Sequence, residues 1–131
     1  MQGGGEVHKL RTSEFIPLAE QLNKDKKSYI AIFKGGISEE GVSWCSDCVV
    51  AEPVISGTIL PHAAKIGLPV YIVDVGDRAE WKDPQNPLRV HASIKVNCVP
   101  TILKFKDGVV FERLKEEEVL DKDLVTAMLD E

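Results

Sequence analysis

Two stretches of this chain, Ser28 to Phe33 and Leu68 to Val75, are apolar almost without interruption. Neither shows the alternation of a strand with one wet face, so each predicts a strand buried on both sides. A sheet built on such strands needs helices on both faces, and the sequence between them supplies these. Phe15, Ile16, Leu18, Ala19 and Leu22 recur at helical spacing behind Thr12 or Ser13, either of which can cap the helix. Pro17 then falls in the first turn, where proline is tolerated. Helical spacing returns at Val49, Val50, Val54, Ile55, Ile59 and Leu60, with a kink expected at Pro53, which lacks the N–H a helix interior uses.

The remaining segments complete the order. Glu6 to Leu10 predicts a short edge strand, and Lys24, Lys26 and Lys27 mark a helix C-terminus, where cations suit the dipole. Lys34 to Ser43 and Gly76 to Asn86 read as long loops, and Pro87 to Ile94 as a short helix. Thr101–Phe105 and Val109–Arg113 bracket Lys106-Asp107-Gly108, a hairpin signal because Asp-Gly accepts positive φ. Asp121 can cap a last helix with Leu124, Val125, Met128 and Leu129 on one face, behind a solvated acidic run, Glu116 to Glu118. The order is β-α-β-α-β-α-β-β-α, an α/β chain with a central mixed sheet flanked by helices. That is the order of the thioredoxin fold. Residues 1–6 read as a polar, Gly-rich leader and 7–131 as a single domain.

Composition narrows the function. Hydrophobic residues make up 44% and charged residues 28%, the balance of an ordinary globule, and the net charge of -5 argues against a general nucleic-acid or anionic-membrane binder. No apolar run approaches the ~20 residues of a membrane span. The first residues lack the pattern of a secretory signal, so the expected location is the cytoplasm, where thiols stay mostly reduced. Three cysteines are too few, and odd in number, for a disulfide framework. Cys45 and Cys48, two residues apart, point instead to redox chemistry.

Thiol–disulfide exchange needs a thiolate nucleophile and a second thiol near enough to resolve the mixed disulfide. A two-residue gap at a helix start supplies both. Cys45 in the first turn meets unpaired N–H groups and the positive end of the dipole, which lower its pKa below that of a free thiol. Cys48 comes round onto the neighbouring face and stays protonated behind it. Asp47 opposes the thiolate, since a carboxylate beside it is repulsive. With no acidic residue inside Tyr29 to Phe33, Asp47 is also the candidate proton acceptor for Cys48. The competing reading is half of a zinc site, with Cys98, His62, His91 and His8 as the other ligand candidates. No second CxxC and no HxxxH supports it.

Val99-Pro100-Thr101 is the second part of the constellation. Its proline either starts a strand or forms a cis-proline loop beside the thiols, and the upstream CxxC favours the loop. The backbone at Val99 can then pair with an extended substrate. Cys98, two residues before Pro100, belongs near the site and reads first as a small buried hydrophobe. Trp44 is a substrate platform or a packing residue at the loop mouth. Trp81-Lys82-Asp83-Pro84 reads as a rigid loop, which would shield the thiols if it lies beside them.

Ser43-Trp44-Cys45-Ser46-Asp47-Cys48, followed by Ala51-Glu52-Pro53-Val54, resembles the Clot family of small thioredoxin-related proteins. Val75-Gly76-Asp77, Trp81-Lys82-Asp83-Pro84 and Val99-Pro100-Thr101 carry the same likeness, which runs from about Leu10 onward. The resemblance implies a cytosolic protein-disulfide reductase with a narrower substrate range than ordinary thioredoxin, acting on disulfide-containing proteins or cystine-like substrates. It implies Cys45 as nucleophile and Cys48 as resolving thiol. It further implies no bound cofactor, with electrons arriving from NADPH through thioredoxin reductase or, in some lineages, from glutathione. The family usually has Pro where this chain has Ser46, so the helix start is expected to be looser and to carry an extra hydroxyl. Trp44, Ser46, Val99 and Pro100 are the expected substrate-binding residues of a monomer. Two rivals stand beside this reading: a glutathione-fed reductase of glutaredoxin type, and a binding module whose thiols regulate docking.

Overall fold

The computed structural model describes residues 6–38 and 40–131; of the expected leader, 1–5 lie outside the described residues. Five strands, β1 (Val7–Arg11), β2 (Tyr29–Lys34), β3 (Val70–Asp74), β4 (Thr101–Lys106) and β5 (Val109–Lys115), form one mixed sheet in the order β1-β3-β2-β4-β5. β3 runs parallel to both β1 and β2, while β4 is antiparallel to β2 and β5. The two uninterrupted apolar runs are thus interior strands, as their lack of alternation requires.

Helices cover the two faces with different chemistry. On one side lie α2 (Ser46–Val54), α3 (Leu60–Ile66) and α6 (Lys122–Asp130), where Ala51, Ile55, Ile59, Val125 and Met128 pack on Ile30, Ile32, Ile72 and Ile102. On the other lie α1 (Thr12–Lys24), α4 (Arg78–Lys82) and α5 (Pro87–Val90). There Phe15, Trp81 and Leu88 pack with Tyr29, Phe33, Val73 and Phe105. Alternate residues of β2 therefore feed an aliphatic and an aromatic core. In the aromatic one, Tyr29 stacks on Phe105 at 4.4 Å and Phe15 meets Phe33 edge-on at 5.4 Å, each pair adding about 1 kcal/mol to simple burial.

Several local expectations need correction. α1 begins at Thr12, with Arg11 as its cap, because the Glu14 carboxylate accepts the Arg11 N–H at 2.9 Å; Pro17 consequently lies in the second turn. Between α2 and α3 the helix continues through a π turn, Ile55–Ile59, in which Leu60 donates to the Ile55 carbonyl. Pro53 and Pro61 flank that turn, and a wider turn relieves the clash a proline ring makes with the preceding turn. The loop expected over Gly76 to Asn86 contains α4, started by a capping box: Glu80 N–H donates to Asp77 at 2.8 Å and Asp77 N–H to the Glu80 carboxylate at 3.3 Å. α5 ends at Val90 rather than Ile94, because Val96 takes the Leu88 carbonyl at 2.9 Å and turns the chain back.

The hairpin forms as expected, with φ of 53° at Asp107 and 85° at Gly108. Gly108 also donates to the Lys27 carbonyl at 2.9 Å and lies so close to the Asn23 carbonyl that a Cβ has no room. Asp121 caps α6, accepting from Asp123 and Leu124. At the other end of α6, buried Lys104 of β4 donates to the Met128 and Leu129 carbonyls at 2.9 and 3.1 Å. Burial pushes the Lys104 pKa down, yet the two orphan carbonyls give its ammonium a partner. Among the described residues, no helix is long and apolar enough to cross a membrane.

Candidate active site

The site grows from the carboxyl end of β2. Lys34 leads into Gly35 and Gly36, and the following loop folds on itself: Ile37 bridges to Ser43, and Ser38 N–H donates to the Val42 carbonyl at 2.9 Å. Ser43 ties the loop to the strand, its hydroxyl donating to the Gly35 carbonyl at 3.2 Å and accepting the Cys45 N–H at 3.1 Å. Gly35 has no alternative at its position. A Cβ there would lie 2.8 Å from Cys45 Cβ and 2.9 Å from the Trp44 ring.

Cys45 is the N-cap of α2 rather than a residue of its first turn, with extended φ and ψ of -95° and 98°, and Ser46 takes the first helical position. Cys45 and Cys48 are joined in a disulfide, their Cα atoms 5.2 Å apart. The Cys48 N–H donates to Cys45 Sγ at 3.2 Å, and Gly35 N–H donates to Cys48 Sγ at 3.4 Å. Each sulfur thus already accepts a backbone donor that would stabilise a thiolate there. Both residues are buried, but they differ in what they face. Cys45 lines a cavity of about 370 Å³, to which Cys48 does not contribute.

Trp44, Ser46, Asp47 and Val99 line the same cavity. Trp44 both packs and lines: its Nε1 donates to the Gly76 carbonyl at 2.9 Å, and its half-buried ring leans on the aromatic core. The Val99–Pro100 bond is cis, and the Val99 carbonyl lies 3.8 Å from Cys45 Sγ. Pro100 itself is buried and does not line the cavity; its carbonyl accepts the Glu116 N–H at 2.9 Å. Asp47 is exposed in the first turn of α2. Cys98 is half-buried rather than enclosed, with its sulfur 3.5 Å from Thr101 Oγ1, and it faces the cavity too. Trp81 is buried inside α4 while its neighbour Lys82 reaches the cavity, so this segment borders the thiols as a helix and not as a loop.

Behind Cys48, one turn along α2, Glu52 accepts Lys34 Nζ at 2.7 Å and the Ser56 hydroxyl at 3.0 Å. Burial works to raise the Glu52 pKa, but the hydrogen bond and charge of Lys34, with Ser56, outweigh it and hold the carboxyl below its ordinary range. The zinc candidates are dispersed. His62 pairs with Asp130 at 2.6 Å, His91 with Glu20 at 3.4 Å, and His8 stacks on Tyr71. No group of three or more His, Cys, Asp or Glu side chains gathers in a metal-binding arrangement among the described residues.

Sequence reasoning passed over Gly35, Arg78 and Arg89. Arg78 donates to the Trp44 carbonyl at 3.0 Å, and Arg89 donates to the Trp81 carbonyl at 2.8 Å while its guanidinium lies 4.2 Å over the Trp81 ring. Only the box Asp77-x-x-Glu80, which sets the helix that carries Arg78, signalled this wall in the sequence.

The profile of the thioredoxin domain-containing protein 17-like family, thioredoxin domain, matches residues 8–131. The chain belongs to that family. Thioredoxin domain-containing protein 17 of Danio rerio is 40% identical over 105 residues, 80% of each chain, and that of Homo sapiens 38% over 118 residues, 90% of this chain and 89% of the relative. Thioredoxin-like protein Clot of Arabidopsis thaliana is 31% identical over 113 residues, 85% of this chain and 81% of the relative, which bears out the resemblance read from the motifs. Among solved structures, oxidised thioredoxin O2 of Arabidopsis thaliana superposes with a TM-score of 0.65 over 100% of both chains, at 20% identity. The complex of ferredoxin:thioredoxin reductase and thioredoxin f2 gives 0.60 over 96% of this chain and 94% of the matched one, at 17% identity. The fold is that of thioredoxin, and the family member carries a CxxC disulfide at the start of α2, the equipment of a thiol–disulfide oxidoreductase.

Proposed function

We propose that this protein is a cytoplasmic, monomeric disulfide reductase of restricted substrate range, acting on disulfide-bonded proteins or cystine-like molecules. The observation that carries the reading is the asymmetry of the pair: Cys45 borders a cavity at the helix cap, and Cys48 sits behind it. In the reduced chain the Cys45 thiolate attacks one sulfur of the substrate, forming a mixed disulfide and releasing the other sulfur as a thiolate that takes up a proton. Cys48 loses its proton, to Asp47 in this account, and attacks Cys45 Sγ. The second substrate sulfur leaves reduced, and the Cys45–Cys48 bridge holds the two electrons' worth of oxidation. The backbone at Val99, in the bend before Thr101, is where an extended substrate would pair, and Trp44 and Ser46 border the place where its disulfide must sit.

No bound cofactor takes part. The donor that reopens the bridge is thioredoxin reductase with NADPH. Glutathione is the alternative, favoured by the basic residues Arg78, Lys82 and Arg89 in the cavity that Val99 also lines. The test is insulin or cystine reduction with each donor system, run beside Cys45→Ser and Cys48→Ser. Turnover is expected with thioredoxin reductase, lost completely in Cys45→Ser, with a trapped mixed disulfide in Cys48→Ser. An oxidisable Cys45–Cys48 pair that turns over with neither donor would replace this reading with the regulated binding module.

A further inference from the structure

The cavity in front of Cys45 departs from the charge of the chain. Acidic residues outnumber basic ones by 21 to 16 overall, yet three cations, Arg78, Lys82 and Arg89, line this cavity against two carboxylates, Asp47 and Glu116. The cations all come from α4 and α5, and the acids from the start of α2 and the turn after β5. Among the described residues none of the three cations is paired with a carboxylate; the ion pairs there are His8–Glu6, Lys34–Glu52, His62–Asp130 and His91–Glu20.

The two guanidinium groups are held without being used up. Arg78 spends one Nη on the Trp44 carbonyl, the peptide group that directly precedes Cys45, and Arg89 spends its Nε on the Trp81 carbonyl while stacked over that indole. Each keeps further N–H groups with no protein acceptor among the described residues, in the planar fork that suits a carboxylate. The Lys82 ammonium has no hydrogen-bond partner among the described residues and adds a third positive charge. An oxyanion brought into the cavity would find three cations on one wall, each with N–H groups free to donate to it.

We propose that this wall selects disulfides that carry a carboxylate close to the bond, above all protein disulfides with an acidic side chain next to the attacked cysteine. The inference deepens the reductase reading, since it names the substrate class of the same site. Arg78 and Lys82 act as specificity residues that hold the flanking carboxylate while Cys45 attacks. Asp47 and Glu116 set the opposite preference on their side of the cavity, so an acidic flank is favoured in one orientation of the substrate and disfavoured in the other.

The test is single-turnover exchange between the reduced full chain and peptide disulfides that differ only in a Glu or Gln beside the cysteine, with no reductase present. Glutathione disulfide and the neutral bis-hydroxyethyl disulfide form a second matched pair. The Glu peptide is expected to react roughly fivefold faster at low ionic strength, with the ratio falling toward one in high salt. Arg78→Gln with Lys82→Gln, and Lys82→Glu alone, each turn the cavity's net charge from positive to negative and should bring the ratio to one or below. A preference shown by glutathione disulfide alone would overturn the assignment to protein disulfides. Equal rates for both pairs at low salt, or a ratio that survives these substitutions, would overturn the inference and leave the reductase reading intact. Acidic preference in a chain that never turns over with a donor would do the reverse.

Discussion

The floor and the rim of the site are built by different means. Beneath the sulfurs the chain works with backbone and with missing side chains: Gly35 N–H reaches Cys48, Cys48 N–H reaches Cys45, and the bare Gly35 Cα lets Cys45 and Trp44 close over the end of β2. Around the mouth, α4 and α5 present charged side chains, and Asn97, Cys98 and Val99 lie beside them. The floor is fixed by contacts that admit almost no substitution, because each is a peptide group or a steric limit. The rim hangs on side-chain geometry and tolerates exchange. The proposed exchange chemistry draws on the first, and the proposed discrimination among substrates on the second.

Perturbing the floor should therefore cost stability and chemistry together. Gly35→Ala is expected to lower unfolding free energy by about 1–3 kcal/mol, since a methyl group 2.8 Å from Cys45 Cβ displaces either the disulfide or Trp44. Urea unfolding of the oxidised protein measures this, and an unchanged midpoint would show that the floor yields easily. Asp47→Asn touches the border between the two regions. If Asp47 takes the proton from Cys48, turnover falls about tenfold with an altered pH profile, less than a fully enclosed base would cost because water reaches Asp47. Unchanged turnover at every pH would remove Asp47 from the mechanism.

The smallest effect belongs to the ion pair behind Cys48. Glu52 is held below its ordinary pKa in the folded protein, so the unfolded chain binds its proton more tightly. Its contribution is complete at neutral pH and is lost as acid carries the solution down through the usual carboxylate range to the lowered folded value. Glu52 is half exposed, so Glu52→Gln should cost less than about 1 kcal/mol at neutral pH and nothing in strong acid. A loss of equal size at both pH values would assign the residue a packing role instead.

What the sequence made legible follows the same division. Periodicity exposed β2 and β3, the Asp107-Gly108 hairpin and the Asp121 cap, because each is decided within a few residues of chain. The spacing of Cys45 and Cys48 and the proline after Val99 marked the disulfide pair and the cis-proline bond near it for the same reason. Lys104 gave no such signal, since the carbonyls that make its burial tolerable belong to α6, far along the chain. Gly35 reads as one more loop glycine until Trp44 and Cys45 are seen folded against it. Helix α4 was hidden by Gly76, Asp83 and Pro84, which punctuate the segment as a loop although Asp77 and Glu80 spell a capping box. Arg78 and Arg89 acquire meaning only when α4 and α5 bring them to the mouth of the Cys45 cavity.

The proposed role of Cys45 as nucleophile depends on the backbone around it. Timed alkylation of the reduced protein across pH, with each cysteine followed by mass spectrometry, tests this directly. Cys45 should react first, and its rate should rise through a pKa below that of a free thiol, with Cys48 unreactive behind it. Faster modification of Cys48, or a Cys45 rate that rises only at the pH of an ordinary thiol, would contradict it.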